Sequence, residues 1–359
     1  MSNTTVLVNG FSATCNTTIE DWSLCTPETC CLEQAQIFYI PSLAGNALYA
    51  AIFGLLLVAQ LFFGIRYRTW SFVTWMSFGL VGELVGYIGR IMLHNNVFDF
   101  NAFLIYLIPL TIAPAFITAS IYLCLARIIH IVDPKLEATR LKPMTYTKIF
   151  VTSDFISLVL QGAGGGLAAT ADDQAGSDTG INVMIAGLAF QVISIVVFIA
   201  LCSDFAFRLW KQHSKPKMSS SLSLRTKAGN NDAYEEDTST NARIRATRLF
   251  RLFILALAFA TLFILIRSSY RLAELQGGFN GKLANDEVTF MILEGPMIIL
   301  AAVCLTGAHP GLAMRGLWSM KDLQRVSRGA ASGTEKVQDL SSGNNSAEGL
   351  TMGHMRGEA

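Results

Sequence analysis

Eleven polar or charged side chains lie inside stretches of the chain that are otherwise almost wholly apolar, and they are the residues best able to bind a polar group there. A charge in the middle of a bilayer costs about 2.5–3.5 kcal/mol on insertion scales, so such side chains face a bundle interior and pair. Together they offer acids for a cationic head group, and amides and hydroxyls for a neutral one. They are Glu83, Tyr87, Arg90, Asp154, Ser157, Gln161, Arg267, Tyr270, Arg271, Glu274 and Glu294.

The spacing of these residues decides which of them can act together. Glu83 and Arg90 are seven residues apart in GELVGYIGR. Seven residues make close to two helical turns, so both side chains lie on one face but about 10 Å apart along the axis. They cannot pair with each other, and each needs a partner on another helix. Asp154 and Gln161 repeat this offset.

The elements that must position these residues are membrane helices. Of the 359 residues, 52% are hydrophobic and only 15% are charged, which is typical of an integral membrane protein. Runs of about 20 apolar residues mark transmembrane helices, and the chain has seven such runs. We therefore predict an all-α bundle of seven transmembrane helices. Their predicted ranges are 42–65, 71–93, 103–130, 148–168, 182–203, 249–273 and 288–308.

Three prolines fall inside these helices: Pro109 and Pro114 in the third, and Pro296 in the seventh. A proline inside a helix leaves a carbonyl one turn earlier without its usual partner and bends the helix. We expect kinks and freed carbonyl groups near the polar side chains.

The distribution of basic residues orients the bundle. When the loops are assigned alternately to two sides, all 27 Lys and Arg fall on one side except Arg90, Arg267, Arg271 and Lys282. Residues 1–41 contain no Lys or Arg. By the positive-inside rule, the N-terminus is predicted outside and the C-terminus in the cytoplasm.

Three segments flank or interrupt the bundle. Residues 1–41 form a predicted extracellular arm, residues 208–248 a flexible cytoplasmic loop within the transmembrane domain 42–311, and residues 312–359 a disordered cytoplasmic tail. The arm has four cysteines, which in an oxidising exterior could form two disulfides with three possible connectivities. It also has glycosylation sequons. The cysteines are Cys15, Cys25, Cys30 and Cys31, and the sequon asparagines are Asn3 and Asn16.

In this orientation, three acids and three bases gather in the outer half of predicted helices 2, 6 and 7. We predict an outward-facing polar cavity between helices 2, 4, 6 and 7, which Asp154 and Gln161 continue toward the cytoplasm. The alternative is an internal salt-bridge network that only fixes helix packing, because buried ion pairs often serve specificity. The GAGGG run at 162–166 also has a packing interpretation, since small residues let helices approach closely.

Several catalytic and cofactor signatures are missing from the sequence. It has no GxxxxGK[ST] nucleotide loop, no HExxH metal motif and no GxSxG elbow, and its five histidines are scattered. These absences argue against nucleotide-driven pumping and metal hydrolysis. We therefore predict no enzyme activity, no metal, no cofactor, and no nucleotide or nucleic-acid partner.

Several separated motifs share one order along the chain: YIPSLAGN, GELVGYIGR, IAPAFITASIYLCLARII, SDFISLVLQGAGGG, IRSSYRLAELQGGFNG, ILEGPM and HPG. In this order they resemble the fungal RTA-like lipid-translocating exporter family, which includes a sphingoid long-chain base exporter and aminocholesterol- and molasses-resistance proteins. The resemblance covers roughly residues 37–311.

The resemblance implies seven membrane helices and the export or flipping of amphipathic lipids or toxic compounds. The acid of the seventh helix is commonly Asp in this family, whereas here it is Glu294. The carboxylate is kept on a side chain one methylene longer, so we expect its pairing to survive with adjusted reach. The residues on motif positions are Glu83, Tyr87, Arg90, Asp154, Gln161, Arg267, Arg271 and Glu274.

Two functions from different classes fit the sequence. The first is a translocator or exporter of amphipathic lipids similar to sphingoid long-chain bases, or of toxic amphiphiles, that confers lipid or drug tolerance. The alternative is a seven-helix receptor or stress sensor, although the third helix ends in CLARIIH without an acid-Arg-Tyr motif and the seventh lacks NPxxY. An intramembrane enzyme is a third, weaker hypothesis. The predicted location is the plasma membrane, with the vacuole or another endomembrane as alternative.

Overall fold

The computed structural model describes residues 3–8, 11–16, 30, 32, 35, 37–132, 143–171, 173–214, 247–277, 281 and 283–314. Cys25, Cys31, most of the predicted cytoplasmic loop and nearly all of the predicted tail lie outside these residues. The elements, in chain order, are β1 Asn3–Val8, β2 Phe11–Asn16, α1 Leu43–Tyr67, α2 Trp70–Asn95, α3 Phe100–Val132, α4 Pro143–Thr170, α5 Gln174–Ser214, α6 Arg248–Gln276, α7 Glu287–Leu293, α8 Gly295–Gly307 and α9 Pro310–Ala313.

The N-terminal arm contains a two-stranded antiparallel hairpin, which the all-α prediction does not include. Strands β1 and β2 pair in register from Asn3 opposite Asn16 to Val8 opposite Phe11. The two residues between the strands are Asn9 and Gly10, and Asn-Gly is the strongest short-range signal for a hairpin turn. That dipeptide was the missed signal. Both sequon asparagines lie at the open end of the hairpin.

Among the residues that the structure describes, six helical segments are long and apolar enough to cross a membrane: α1, α2, α3, α6, the part of α5 from Ala175 to Lys211, and the Glu287–Ala313 segment. Helix α4 is also long, with 28 residues. It is not one of the six, because Asp154, Ser157, Gln161 and its glycines lower its hydropathy. The described helices form a membrane-type bundle in which α4 differs from its neighbours.

Helix α5 extends well beyond its predicted range of 182–203. It has 41 residues, which make a helix about 60 Å long at 1.5 Å per residue. A bilayer with its head groups is about 40–45 Å thick. We expect α5 to project beyond the bilayer at one end at least. Residues 208–214, predicted as part of the cytoplasmic loop, belong to this helix.

Helices α2 and α3 pack through a row of glycines. A Cβ atom at Gly86 would lie 2.5 Å from the Leu110 Cγ, and one at Gly89 would lie 2.6 Å from the Tyr106 main-chain nitrogen. Neither position can carry a side chain without a shift of α3. The neighbouring face of α2, about a quarter turn away from these glycines, is buried in the bundle. That face carries the polar residues of GELVGYIGR.

The predicted seventh helix is divided into α7 and α8, which meet at Glu294. Pro296 follows two residues later and has no N–H to donate to the carbonyl of Ile292. The 33-residue helix α3 runs through both Pro109 and Pro114. Each of these places leaves main-chain carbonyl groups without the usual helical partner.

Candidate functional site

The eleven predicted site residues form two separate groups. Eight belong to what we call the charged cluster, on α2, α6 and the α7–α8 junction: Glu83, Tyr87, Arg90, Arg267, Tyr270, Arg271, Glu274 and Glu294. The other three lie on α4 and, with side chains of α3 and α5, form the polar ladder: Asp154, Ser157 and Gln161 with Thr118 and Gln191.

In the part of the chain that the structure describes, these groups do not line one cavity between the second, fourth, sixth and seventh helices, as the sequence predicts. The reason is that α3 packs against both α2 and α4. The polar side chains of α4 therefore bond to α3 and α5, away from the charged cluster.

Arg267 is the central contact of the charged cluster. It is buried, and its Nη2 pairs with Oε1 of Glu294 at the α7–α8 junction. The same nitrogen donates to the main-chain carbonyl of Leu110, at 2.5 Å. This carbonyl lies one turn before Pro114, which cannot bond to it. One guanidinium thus joins the proline-interrupted stretches of two helices.

A second ion pair lies on α6 itself. Arg271 Nη1 donates to Oε2 of Glu274 at 2.8 Å, and both side chains are almost fully buried. Residues three apart on a helix are neighbours on its surface. Two arginines of the cluster are therefore each matched to a carboxylate, which leaves Arg90 and Glu83.

Arg90 is fully buried but has aromatic and neutral partners instead of an acid. Its Nε donates to Oδ1 of Asn46 on α1 at 3.0 Å, and its Nη2 donates to the hydroxyl of Tyr39 at 2.9 Å. The guanidinium carbon lies 3.9 Å from the ring centre of Phe290 and 5.0 Å from that of Tyr106. Such cation–π contacts stabilise a charge removed from water.

Glu83 is the cluster's exception. Its side chain is 1% exposed, and neither carboxylate oxygen has a hydrogen-bond partner in the described structure. The hydroxyl of Tyr87, one turn along α2, also has none. A Cβ atom at Gly295 would lie 2.7 Å from this hydroxyl, so the α7–α8 junction packs directly against it. Buried polar atoms without partners are uncommon and call for a reason.

Residues 37–42, which we call the outer strap, cover the charged cluster at the end of the bundle that carries the arm. Burial raises the pKa of Tyr39 in this strap to about 12, so its hydroxyl stays protonated at neutral pH while it accepts the hydrogen bond from Arg90. Main-chain atoms of the strap bond to α2 and to the region around the start of α7: Phe38 N to Asn285 Oδ1 at 2.8 Å, Ser42 N to Glu287 Oε1 at 2.5 Å, and Pro41 O to His94 Nδ1 at 2.8 Å.

The polar ladder joins α3, α4 and α5. Thr118 of α3 donates to Oδ2 of Asp154 at 2.9 Å. Ser157 donates to the main-chain carbonyl of Gly187 at 2.7 Å. Gln161 Nε2 donates to Ser157 Oγ at 2.6 Å and to Gln191 Oε1 at 3.0 Å.

The ladder leaves two buried oxygen atoms free to accept hydrogen bonds. They are Oδ1 of Asp154 and Oε1 of Gln161, and both residues are only 3% exposed. A carboxylate oxygen and an amide oxygen are acceptors for hydroxyl or ammonium donors. The arrangement can bind a polar group that brings donors of its own.

A groove of about 820 Å³ lies between α3 and α4 and reaches Gln161. Its walls are mainly apolar side chains of α3 and small residues of α4. Leu104, Leu107 and Ile108 contribute to the α3 wall, and Gly162 and Gly166 to the α4 wall.

The GAGGG run serves both this groove and helix packing. A Cβ atom at Gly164 would lie 2.5 Å from the main-chain nitrogen of Met184, so Gly164 lets α4 and α5 approach closely. A Cβ atom at Gly162 or Gly166 would meet nothing within 4 Å. The packing interpretation therefore fits Gly164, whereas Gly162 and Gly166 leave open volume in the groove.

Sequence reasoning missed the partners of several site residues. Asn46 gave a weak signal, as a lone amide in an apolar helix, and Gln191 gave a similar one. Tyr39 and Phe290 gave none, because aromatic residues near membrane helix ends are common. Among the described residues, no group of three or more His, Cys, Asp or Glu side chains could hold a metal ion. Cys30 of the arm is disulfide-bonded.

Comparison with known proteins finds a matching family and several similar relatives. The sequence model of the family described as RTA1 like protein matches residues 76–317. The chain is 37% identical over 284 residues to the sphingoid long-chain base transporter RSB1 of Saccharomyces cerevisiae, with 77% of this chain and 74% of the relative covered.

It is also 28% identical to protein RTM1 of Saccharomyces cerevisiae, with 66% of this chain and 67% of the relative covered. Protoporphyrin uptake protein 1 of the same species is 27% identical, with 65% and 67% covered. No solved structure matches the chain. With its apolar helices, the match to these relatives identifies a multi-pass membrane protein.

Proposed function

We propose that this chain, which belongs to the RTA1-like family, translocates amphipathic lipids of the long-chain-base type across a membrane and thereby confers lipid or drug tolerance. A translocator must carry a polar head group past about 30 Å of hydrocarbon. The relative named as a sphingoid long-chain base transporter supports this substrate class.

The observation that carries the proposal is the free acceptor capacity of the polar ladder. Asp154 keeps one carboxylate oxygen without a partner in the described structure, while Thr118 holds the other. An ammonium head group would add a charge-assisted hydrogen bond to that oxygen. In this proposal, the head group moves along the interface of α3, α4 and α5, and the charged cluster holds the helices around it.

The proposal also includes the membrane arrangement. Helix α4 also crosses the membrane and brings the number of transmembrane helices to seven. Its 28 residues span about 42 Å at 1.5 Å per residue, and it packs between two apolar helices. The N-terminal arm, with glycans on Asn3 and Asn16, lies outside, and the tail lies in the cytoplasm of a plasma membrane. The basic residues on one side of the bundle support this orientation.

The test is efflux of labelled sphingoid base from fungal cells that express the wild type or Asp154→Asn. We expect efflux to fall about 10- to 100-fold in the variant, because a hydrogen bond to a charged group is worth about 1.5–3 kcal/mol and 1.4 kcal/mol is tenfold.

The matched control for this test is Asp204→Asn, which removes an acid from the surface of α5, where it pairs with Arg208. We expect wild-type efflux from it. Efflux no higher than vector for the wild type would overturn the proposed function. Unchanged efflux in Asp154→Asn would show that the polar ladder does not line the transport path.

A sensor is the second candidate, and the outer strap is the observation that favours it. The strap connects the external arm to α2 and α7, which is how a signal on the arm would reach the bundle. Deletion of residues 212–245 and of the tail separates the two functions. Tolerance that survives the deletion indicates transport, whereas lost tolerance with normal trafficking indicates signalling.

A further inference from the structure

We propose that the groove between α3 and α4 is the binding site for the single hydrocarbon chain of the transported amphiphile, with its polar head at Gln161. The inference rests on the proposed function and deepens it, because it assigns the tail and the head of one molecule to different walls of one site. Nothing in the two ion pairs of the charged cluster offers such a division.

The dimensions of the groove suit one chain. Its lining runs from Phe100 to Ile112 on α3 and from Leu158 to Ala171 on α4, which corresponds to about 18–20 Å along each helix. Half of a bilayer's hydrocarbon core is about 15 Å thick. The groove therefore has the length that one chain occupies in one leaflet. Its volume of about 820 Å³ is within the range of small-molecule sites, roughly 300–1,000 Å³.

The head-group position is set by Gln161, which lies about one helical turn from the Leu158 end of the groove lining. Both protons of a side-chain amide are donors, and Gln161 Nε2 already bonds to Ser157 and Gln191. Its Oε1 has no partner in the described structure. This oxygen would accept from the hydroxyl or ammonium of an amino alcohol, and the unpartnered Nε2 of Gln191 would donate to the hydroxyl oxygen. Asp154 lies two turns farther along α4.

The groove opens sideways to the lipid. Phe100 and Ile108 of its lining are more than a third exposed, and the neighbouring Leu167 is about half exposed. A chain entering from the bilayer gains little from burial alone, because lipid tails are as apolar as the groove. Selection between single-chain and two-chain lipids must therefore come from shape. The open volume beside the groove glycines fits one chain, and a second chain attached to the same head would remain in the bilayer.

The competing occupant is a chain of an ordinary bilayer phospholipid, which would make the groove a structural lipid site. The free amide oxygen at its inner end argues for the amphiphile. A phospholipid presents its glycerol esters and phosphate near the membrane surface and has no donor to offer at the depth of Gln161.

The experiment uses purified full-length protein in nanodiscs and two amine amphiphiles, one with a long chain and one with a short chain. Gly162→Leu and Gly166→Leu each place a side chain in the open volume of the groove. We expect each to weaken binding of the long-chain amine at least tenfold and binding of the short-chain amine less than threefold. The matched control is Gly54→Leu on α1, where an added Cβ also meets nothing within 4 Å.

The outcomes separate the two proposals. No binding or transport of long-chain amine by the wild type overturns the proposed function. Wild-type transport with undiminished binding in both groove variants overturns the chain site alone. Equal loss in Gly54→Leu would show that a bulky residue on any helix is enough, and it would also overturn the chain site.

A second measurement addresses the phospholipid alternative. A long-chain amine with a photoreactive group at the chain end should label peptides of α3 and α4 around Phe100 and Ala168, at the end of the groove away from Gln161, and unlabelled long-chain amine should compete. Equal labelling by a two-chain phospholipid probe, without competition by the amine, would overturn the inference in favour of a structural lipid.

Discussion

The charged cluster and the polar ladder are both buried in a membrane bundle, yet they use their polar atoms in opposite ways. The cluster has three acids and three bases, of which two ion pairs and an aromatic enclosure hold all but Glu83, whose carboxylate has no hydrogen-bond partner in the described structure. The ladder has one acid, with amides and hydroxyls, and leaves acceptors free beside a groove. In the proposed function, the paired charges form a framework, and the free acceptors beside open volume form the binding region.

The energetics of buried ions explain this division. Removing one member of a buried pair leaves an uncompensated charge, which costs about 3–5 kcal/mol. A region held together in this way resists rearrangement and is poorly suited to release a passing molecule. Neutral hydrogen bonds have a net worth of about 0.5–1.5 kcal/mol each, so the amide and hydroxyl side chains of the ladder can exchange partners at a modest cost.

The largest expected effect comes from breaking the framework at Arg267. Arg267→Met leaves Glu294 and the Leu110 carbonyl without their partner, and we expect the free energy of unfolding to fall by about 3–5 kcal/mol. Thermal unfolding of the purified protein measures it. Arg208→Met is the control, because its pair with Asp204 is exposed on one helix and is worth about 0.3–0.5 kcal/mol. Equal melting temperatures for both variants would show that the cluster is not the framework.

A smaller effect is expected where the ladder depends on close packing of α4 and α5. Gly164→Leu forces a side chain against the backbone at Met184, and overpacking typically costs about 1–3 kcal/mol. Gly162→Leu, two residues away, points into open volume and should melt near the wild-type temperature. Thermal unfolding of the two variants measures this difference. A lower melting temperature for Gly162→Leu than for Gly164→Leu would contradict the roles assigned to the two glycines.

The smallest expected effect is that of Glu83→Gln, and this variant tests the difference between the charged cluster and the polar ladder most directly. The substitution keeps the shape and removes a buried carboxylate without a hydrogen-bond partner, so we expect stability to stay the same or rise by about 1 kcal/mol. Efflux of labelled sphingoid base should remain within about threefold of the wild type, equivalent to about 0.7 kcal/mol. A loss as large as that of Asp154→Asn would instead place the head group in the charged cluster.

Sequence periodicity was sufficient to predict a multi-helix membrane bundle, and six apolar segments agree with it. It was not sufficient for the partners of Arg90. The seven-residue offset requires a partner on another helix, but Asn46 and Tyr39 become neighbours only through the way α1 packs on α2. The glycines of α2 face α3, and such a choice of neighbour depends on side-chain fit along whole helices. Charge alone therefore suggested one cavity where packing makes two regions.

Helices bend most easily where a main-chain hydrogen bond is missing. One such place in α3, at Leu110, and one at the α7–α8 junction, at Glu294, are held by the same guanidinium of Arg267. Arg267 therefore connects the two places at which these helices can bend. A tilt of the part of α3 before Pro114 would move the seven residues of α7 with it, and α3 is also one wall of the groove. A chain that enters the groove and tilts α3 would therefore also change the contacts of the outer strap with α7.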